Sequence, residues 1–93
     1  MIDLAELNVI AQFRVLPTGV DVDLEALMEK IEGSLPENTK VEIYRKDPIA
    51  FGLNALVMNI LMEDKAGGTD HVEEAIMSHD EVESLEVVGV TRI

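Results

Sequence analysis

Cysteine is absent from the 93 residues, and its absence excludes disulfides, thiolate metal ligands and a thiol nucleophile. That usage fits a reducing compartment, and a cytoplasmic protein is expected. Aromatic residues are almost missing as well, with one tyrosine, two phenylalanines and no tryptophan. The core therefore has to be built from Leu, Val, Ile, Met and Ala. No apolar run approaches membrane-spanning length: the longest, residues 56–62, is interrupted by Asn59. The first seven residues carry Asp3 and Glu6 with no basic stretch, so no signal peptide is expected. Basic residues are few, seven against nineteen acidic ones, for a formal net charge of -12. Such a field repels nucleic-acid phosphates and an anionic membrane face and attracts a basic protein surface. It equally describes a solvated surface that keeps a chain soluble, so charge alone selects no partner.

What is present is a single domain, residues 1–93. A chain of this length buries about 60 to 65% of its unfolded surface, which leaves no room for a second core. Across residues 7–16, Leu7, Val9, Ala11, Phe13 and Val15 alternate with Asn8, Ile10, Gln12, Arg14 and Leu16, the period of a half-buried strand. Pro17, Thr18 and Gly19 break it. Asp23 then caps a helix, Val22 and Leu27 are spaced as a hydrophobic staple, and Leu24, Leu27, Met28 and Ile31 form one apolar stripe. Pro36 and Asn38 turn the chain into a short second strand, residues 40–46, expected at a sheet edge. Residues 53–63 are apolar on both alternating sets, as a central strand requires. Gly67 and Gly68 end it. Thr69 or Asp70 caps a second helix with Glu73 placed for a capping box, and Val72, Ala75, Ile76 and His79 share one face. A last strand, residues 82–91, has Gly89 to permit a bulge. The order β, α, β, β, α, β predicts an α+β ferredoxin-like sheet of order 4-1-3-2, with two helices on one face.

Catalytic chemistry finds little support, and no enzyme is expected. Ser34, Ser78 and Ser84 lie in no nucleophile-elbow motif. Asp21, Asp23 and Glu25 lack the glycine and closing glutamate of a calcium loop, and helix capping explains Asp23 better. His71, Glu73, Glu74, His79 and Asp80 are spaced too loosely for a metal site, and a solvated helix face accounts for them. The Gly67-Gly68 doublet reads as a turn, since no Lys-Ser or Lys-Thr follows to hold a phosphate. RNA reading by a sheet of this topology needs aromatics on the central strands. The third strand has none, and Phe13 falls on the core register. No cofactor and no metal are implied, nor any direct nucleic-acid or membrane contact.

One stretch resists the bland reading. In Pro48-Ile49-Ala50-Phe51-Gly52 a large apolar side chain stands where a turn should be polar. Phe51 either folds back to plug the end of the core or stands out as a protein-binding anchor. The residues alone leave both open.

The sequence also resembles a family, the archaeal translation elongation factor one-beta and the catalytic C-terminal domain of its eukaryotic relatives. The resemblance runs through Asp21-Val22-Asp23-Leu24-Glu25-Ala26-Leu27, Asp47-Pro48-Ile49-Ala50-Phe51-Gly52-Leu53, Gly67-Gly68-Thr69 and the ending Val90-Thr91-Arg92-Ile93. It implies a guanine-nucleotide exchange factor that promotes GDP release from the elongation GTPase carrying aminoacyl-tRNA. By the same resemblance, Phe51 is the residue that enters a pocket in the GTPase's second domain. Arg92 matches a lysine that reaches the magnesium site in eukaryotic members, and Ile93 supports that contact. Pro48, Ile49, Ala50 and Gly52 complete the partner-binding set. Two departures from the eukaryotic pattern stand out: Arg92 replaces a lysine, whose donor geometry differs, and Asn54-Ala55 replaces a lysine pair. The free protein is expected to be a monomer. The alternative is a regulatory small-molecule-binding module of the same topology, with its ligand at a dimer edge or near Gly67-Gly68. An acylphosphatase-like reading fails on the turn Pro17-Thr18-Gly19-Val20, which offers neither the arginine nor the asparagine that such an anion cradle needs.

Overall fold

A computed structural model of the chain describes residues 7–36, 39–63 and 69–92. Asn38, the Gly67-Gly68 doublet and Ile93 lie outside the described residues. The elements are β1 (Val9–Pro17), α1 (Leu24–Ser34), β2 (Thr39–Ala50), β3 (Leu53–Met62), α2 (Asp70–Met77) and β4 (Val82–Arg92). The strands form one antiparallel sheet in the order β2-β3-β1-β4, the expected order read from the other edge.

Alternation on β1 decides which face is covered. Val9, Ala11, Phe13 and Val15 are buried and lie beside Met62, Ile60, Met58 and Leu56 of β3. Onto this face pack Leu24, Leu27 and Ile31 of α1 and Val72 and Ile76 of α2. Each fully buried Leu, Ile, Phe or Met side chain contributes about 1.5 to 3 kcal/mol relative to exposure. Phe13 is among the largest of these side chains, so the otherwise aliphatic core does hold one aromatic. Asp23 caps α1 as expected, its carboxylate accepting from the N–H groups of Glu25 and Ala26 at 3.1 and 3.2 Å. The cap of α2 departs from expectation. Thr69 occupies the cap position with helical φ and ψ and caps no backbone N–H; its hydroxyl donates instead to the Glu73 carboxylate at 2.7 Å.

The sheet face away from the helices explains why β3 is apolar on both sides. Ala55 and Val57 are buried there without a covering layer. Arg14 of β1 and Arg45 of β2 flank Val57 in register, and Arg14 reaches across to Asp47 at 3.7 Å. Long charged side chains thus roof a central strand with their aliphatic stems.

Two corrections concern β2. It runs twelve residues, Thr39–Ala50, well past the expected end at Lys46, and Pro48 sits inside it. Pro48 is tolerated because β2 is an edge strand, where a missing N–H leaves no neighbour unpaired. In β4 the register slips between Gln12 and Phe13 of its partner, so that Val88 is unpaired beside Gly89, the bulge that the glycine suggested.

Candidate partner-docking site

The expected loop over residues 48–52 contracts to two residues. Ala50 pairs with Leu53, leaving Phe51 and Gly52 as the whole connection. Both have positive φ, 53° and 79°, as a two-residue hairpin turn that matches the strand twist requires. Glycine adopts that conformation freely, whereas a bulky residue is strained in it. Phe51 is nevertheless held there, and its relative exposure of 101% places the ring wholly in solvent. The plug reading is thereby excluded. Pro48, Ile49, Ala50 and Gly52 are exposed around it, Ile49 at the β2 irregularity beside Pro48.

Arg92 lies elsewhere. It ends β4 opposite Val9, which in turn faces Met62 at the end of β3, whereas Phe51 adjoins the start of β3. The ten residues of β3, rising about 3.3 Å each, separate the two positions by about 30 Å. Of the residues expected at the site, 48–52 therefore cluster at one end of the sheet and Arg92 stands exposed at the other.

Among the described residues, three turns gather at the Phe51 end: the hairpin, the β1–α1 turn and the α2–β4 turn. The last two are tied by Thr18 N–H donating to the Glu81 carbonyl at 2.9 Å, and Lys30 of α1 meets the Glu81 carboxylate at 2.6 Å. That hydrogen bond, aided by the opposite charge, raises the Lys30 pKa and lowers that of Glu81. Beside the hairpin, Lys46 meets Glu25 at 3.2 Å.

The His79 ring bonds the Ser34 hydroxyl at 2.9 Å, and no three His, Asp or Glu among the described residues converge as metal ligands. On the open sheet face the central strands present Ile10, Gln12, Arg14, Leu16, Ala55, Val57, Asn59 and Leu61, none of them an aromatic on which a base could stack. Within the described residues no helix is long and apolar enough to cross a membrane.

A family model described as the EF-1 guanine nucleotide exchange domain matches residues 10–93. Over 86 residues the chain is 44% identical to elongation factor 1-beta of Natronomonas pharaonis and 41% identical to that of Haloarcula marismortui, covering 92% of this chain and 98% of each relative. This chain belongs to the elongation factor 1-beta family. To the Staphylothermus marinus member it is 43% identical over 87 residues, 92% of this chain and 97% of that protein. Membership assigns nucleotide exchange in translation elongation, a role in which no covalent bond is made or broken. Among solved structures, the C-terminal domain of the Mycobacterium tuberculosis MgtC protein matches with a TM-score of 0.60, over 95% of this chain and 90% of that one. At 13% identity the likeness is one of fold alone.

The sequence reading missed Val20, which is 67% exposed in the β1–α1 turn. The signal that singled out Phe51 was present there too, a large apolar residue beside a glycine in a turn.

Proposed function

We propose that this member of the family promotes GDP release from the elongation GTPase that delivers aminoacyl-tRNA, gripping one domain of it with Phe51 and acting on the magnesium and phosphate surroundings of GDP with Arg92. The observation that carries the reading is the full exposure of Phe51 on a two-residue turn. A fold gains nothing from a solvated ring in a strained backbone conformation, so the gain has to come from a surface that buries it. Separation of about 30 Å suits a rigid strut between two GTPase domains, and the net charge of -12 favours approach to a basic surface.

Burying Phe51 in a partner contributes about 1.5 to 3 kcal/mol. Phe51→Ala therefore weakens binding to the elongation GTPase by roughly 10- to 100-fold in a calorimetric titration. Arg92→Ala instead slows stimulated release of a fluorescent GDP more than it weakens binding. Normal exchange by both variants would overturn the assignment. Exchange couples two ligands on one GTPase, so GDP weakens factor binding by the same ratio in which the factor weakens GDP binding.

A further inference from the structure

We propose a second docking site, independent of Phe51 and Arg92: a groove between α2 and the edge of β4 takes an extended basic protein segment, which adds to β4 as a further strand and places an apolar side chain in the groove. The groove has a volume of about 450 Å³ and is lined by Glu73, Glu74 and Met77 of α2 and by Glu83, Ser84 and Leu85 of β4. It lies at the sheet edge opposite β2. Most of its exposed lining is carbon. Met77 is 47% exposed, and Leu85 is half-buried against the core. The groove is broad and open to solvent, a shape that fits a chain segment better than an enclosed small molecule.

Among the described residues β4 is an edge strand, so the backbone groups of its alternate residues point away from β1 and suit an added strand. Residues 84–87 pair with residues 13–16 of β1 without a slip, between an irregularity on either side, and form a regular ledge beside the groove. Charge decides which strand fits. Every ionisable residue of the lining is a glutamate. One Glu73 oxygen accepts from the Thr69 hydroxyl at 2.7 Å, whereas the Glu74 and Glu83 carboxylates have no ion pair or hydrogen bond among the described residues. A second copy of this chain would bring an equally acidic edge to the same place, and like charges across a strand pair destabilise it. Lysine or arginine reverses the sign. In an extended segment the residues two positions either side of an apolar one share its face, so cations there reach the glutamates while the apolar side chain enters between Met77 and Leu85. Met77 is unbranched and polarizable and adapts to such a guest, and the exposed Ser84 offers a hydroxyl to the segment's backbone.

The test is an NMR titration of the isotope-labelled full chain with the capped peptide Thr-Lys-Thr-Leu-Thr-Lys-Thr, read at the backbone amides. Saturable shifts are expected at residues 73–77 and 83–87. Met77→Ser and the Glu74→Gln, Glu83→Gln double variant should each bind the peptide about three- to tenfold more weakly. These side chains are exposed, so amide signals away from the groove stay in place. Of two peptides N-methylated at alternate residues, one should lose binding and the other keep it, because only one set of amides faces β4. Phe51→Ala should bind the peptide as wild type does. No shifts, shifts spread over the whole acidic surface, or a peptide with serine for leucine that binds as tightly would overturn the groove. Equal affinity of the two N-methylated peptides would overturn strand addition. Loss of binding by Phe51→Ala would put the peptide at the hairpin and overturn the separate site, leaving the roles of Phe51 and Arg92 in exchange untouched.

Discussion

Phe51 occupies a backbone position that its own side chain disfavours. With φ at 53° followed by Gly52 at 79°, the turn has the geometry for which Asn-Gly is the preferred pair. Phe51→Asn should therefore raise stability by about 0.5 to 1 kcal/mol, since Asn enters the left-handed region more easily than a bulky residue. The same change removes the ring proposed to dock, so on that proposal stability and GTPase binding should move in opposite directions. A lower melting midpoint for Phe51→Asn would show that the ring supports the fold. Gly52→Ala should cost about 1 kcal/mol from its positive φ alone, since open space surrounds the added methyl. How Phe51 was legible follows from the same residue. Composition marked an apolar side chain in a turn, but turn length is decided by strand pairing, and only the register of Ala50 with Leu53 and the exposure of Phe51 show that the ring does not plug the core.

At the scale of elements, the strands and helices were legible because their burial patterns are regular, and the errors fall where another force intervenes. β2 was expected to stop at Lys46, short of the loop at residues 48–52. Edge position and cross-strand contact carry it on to Ala50. The apolar pattern of β3 correctly placed it in the centre, although Val57 is covered by arginine stems rather than by a second layer. Lys30 of α1 is joined to Glu81, which immediately precedes β4, and pH should reveal that link. Glu81 has a lowered pKa, chiefly through its hydrogen bond from Lys30. Its contribution to stability is thus present above the ordinary glutamate range and lost as pH falls through its folded value. The raised pKa of Lys30 means that its contribution is present below the ordinary lysine range and lost as pH rises through its folded value. Glu81→Gln should accordingly lower the thermal midpoint slightly at neutral pH, with the difference shrinking as acid protonates the wild-type carboxylate. A pH-independent difference would show that the pair is bystander chemistry.

For the whole molecule, the decisive property is that the two candidate contacts sit at opposite ends of one antiparallel sheet. β3 adjoins Phe51 at its start and lies in register, through Val9, with Arg92 at its end. The connecting strand is central and buried on both faces, so the ends are held at a fixed spacing rather than joined by a hinge. Groups that far apart and without shared partners change binding additively, within about 0.3 to 0.5 kcal/mol. The Phe51→Ala, Arg92→Ala double variant should therefore lose affinity by the product of the single losses. Exchange should separate them differently. Phe51→Ala impairs capture, so raising its concentration restores the maximal rate of GDP release; Arg92→Ala impairs the step at the nucleotide, so its plateau stays low at saturation. Equal plateaus for both variants at saturating concentration would mean that both ends serve binding alone, and the strut would then hold the GTPase without acting on its nucleotide.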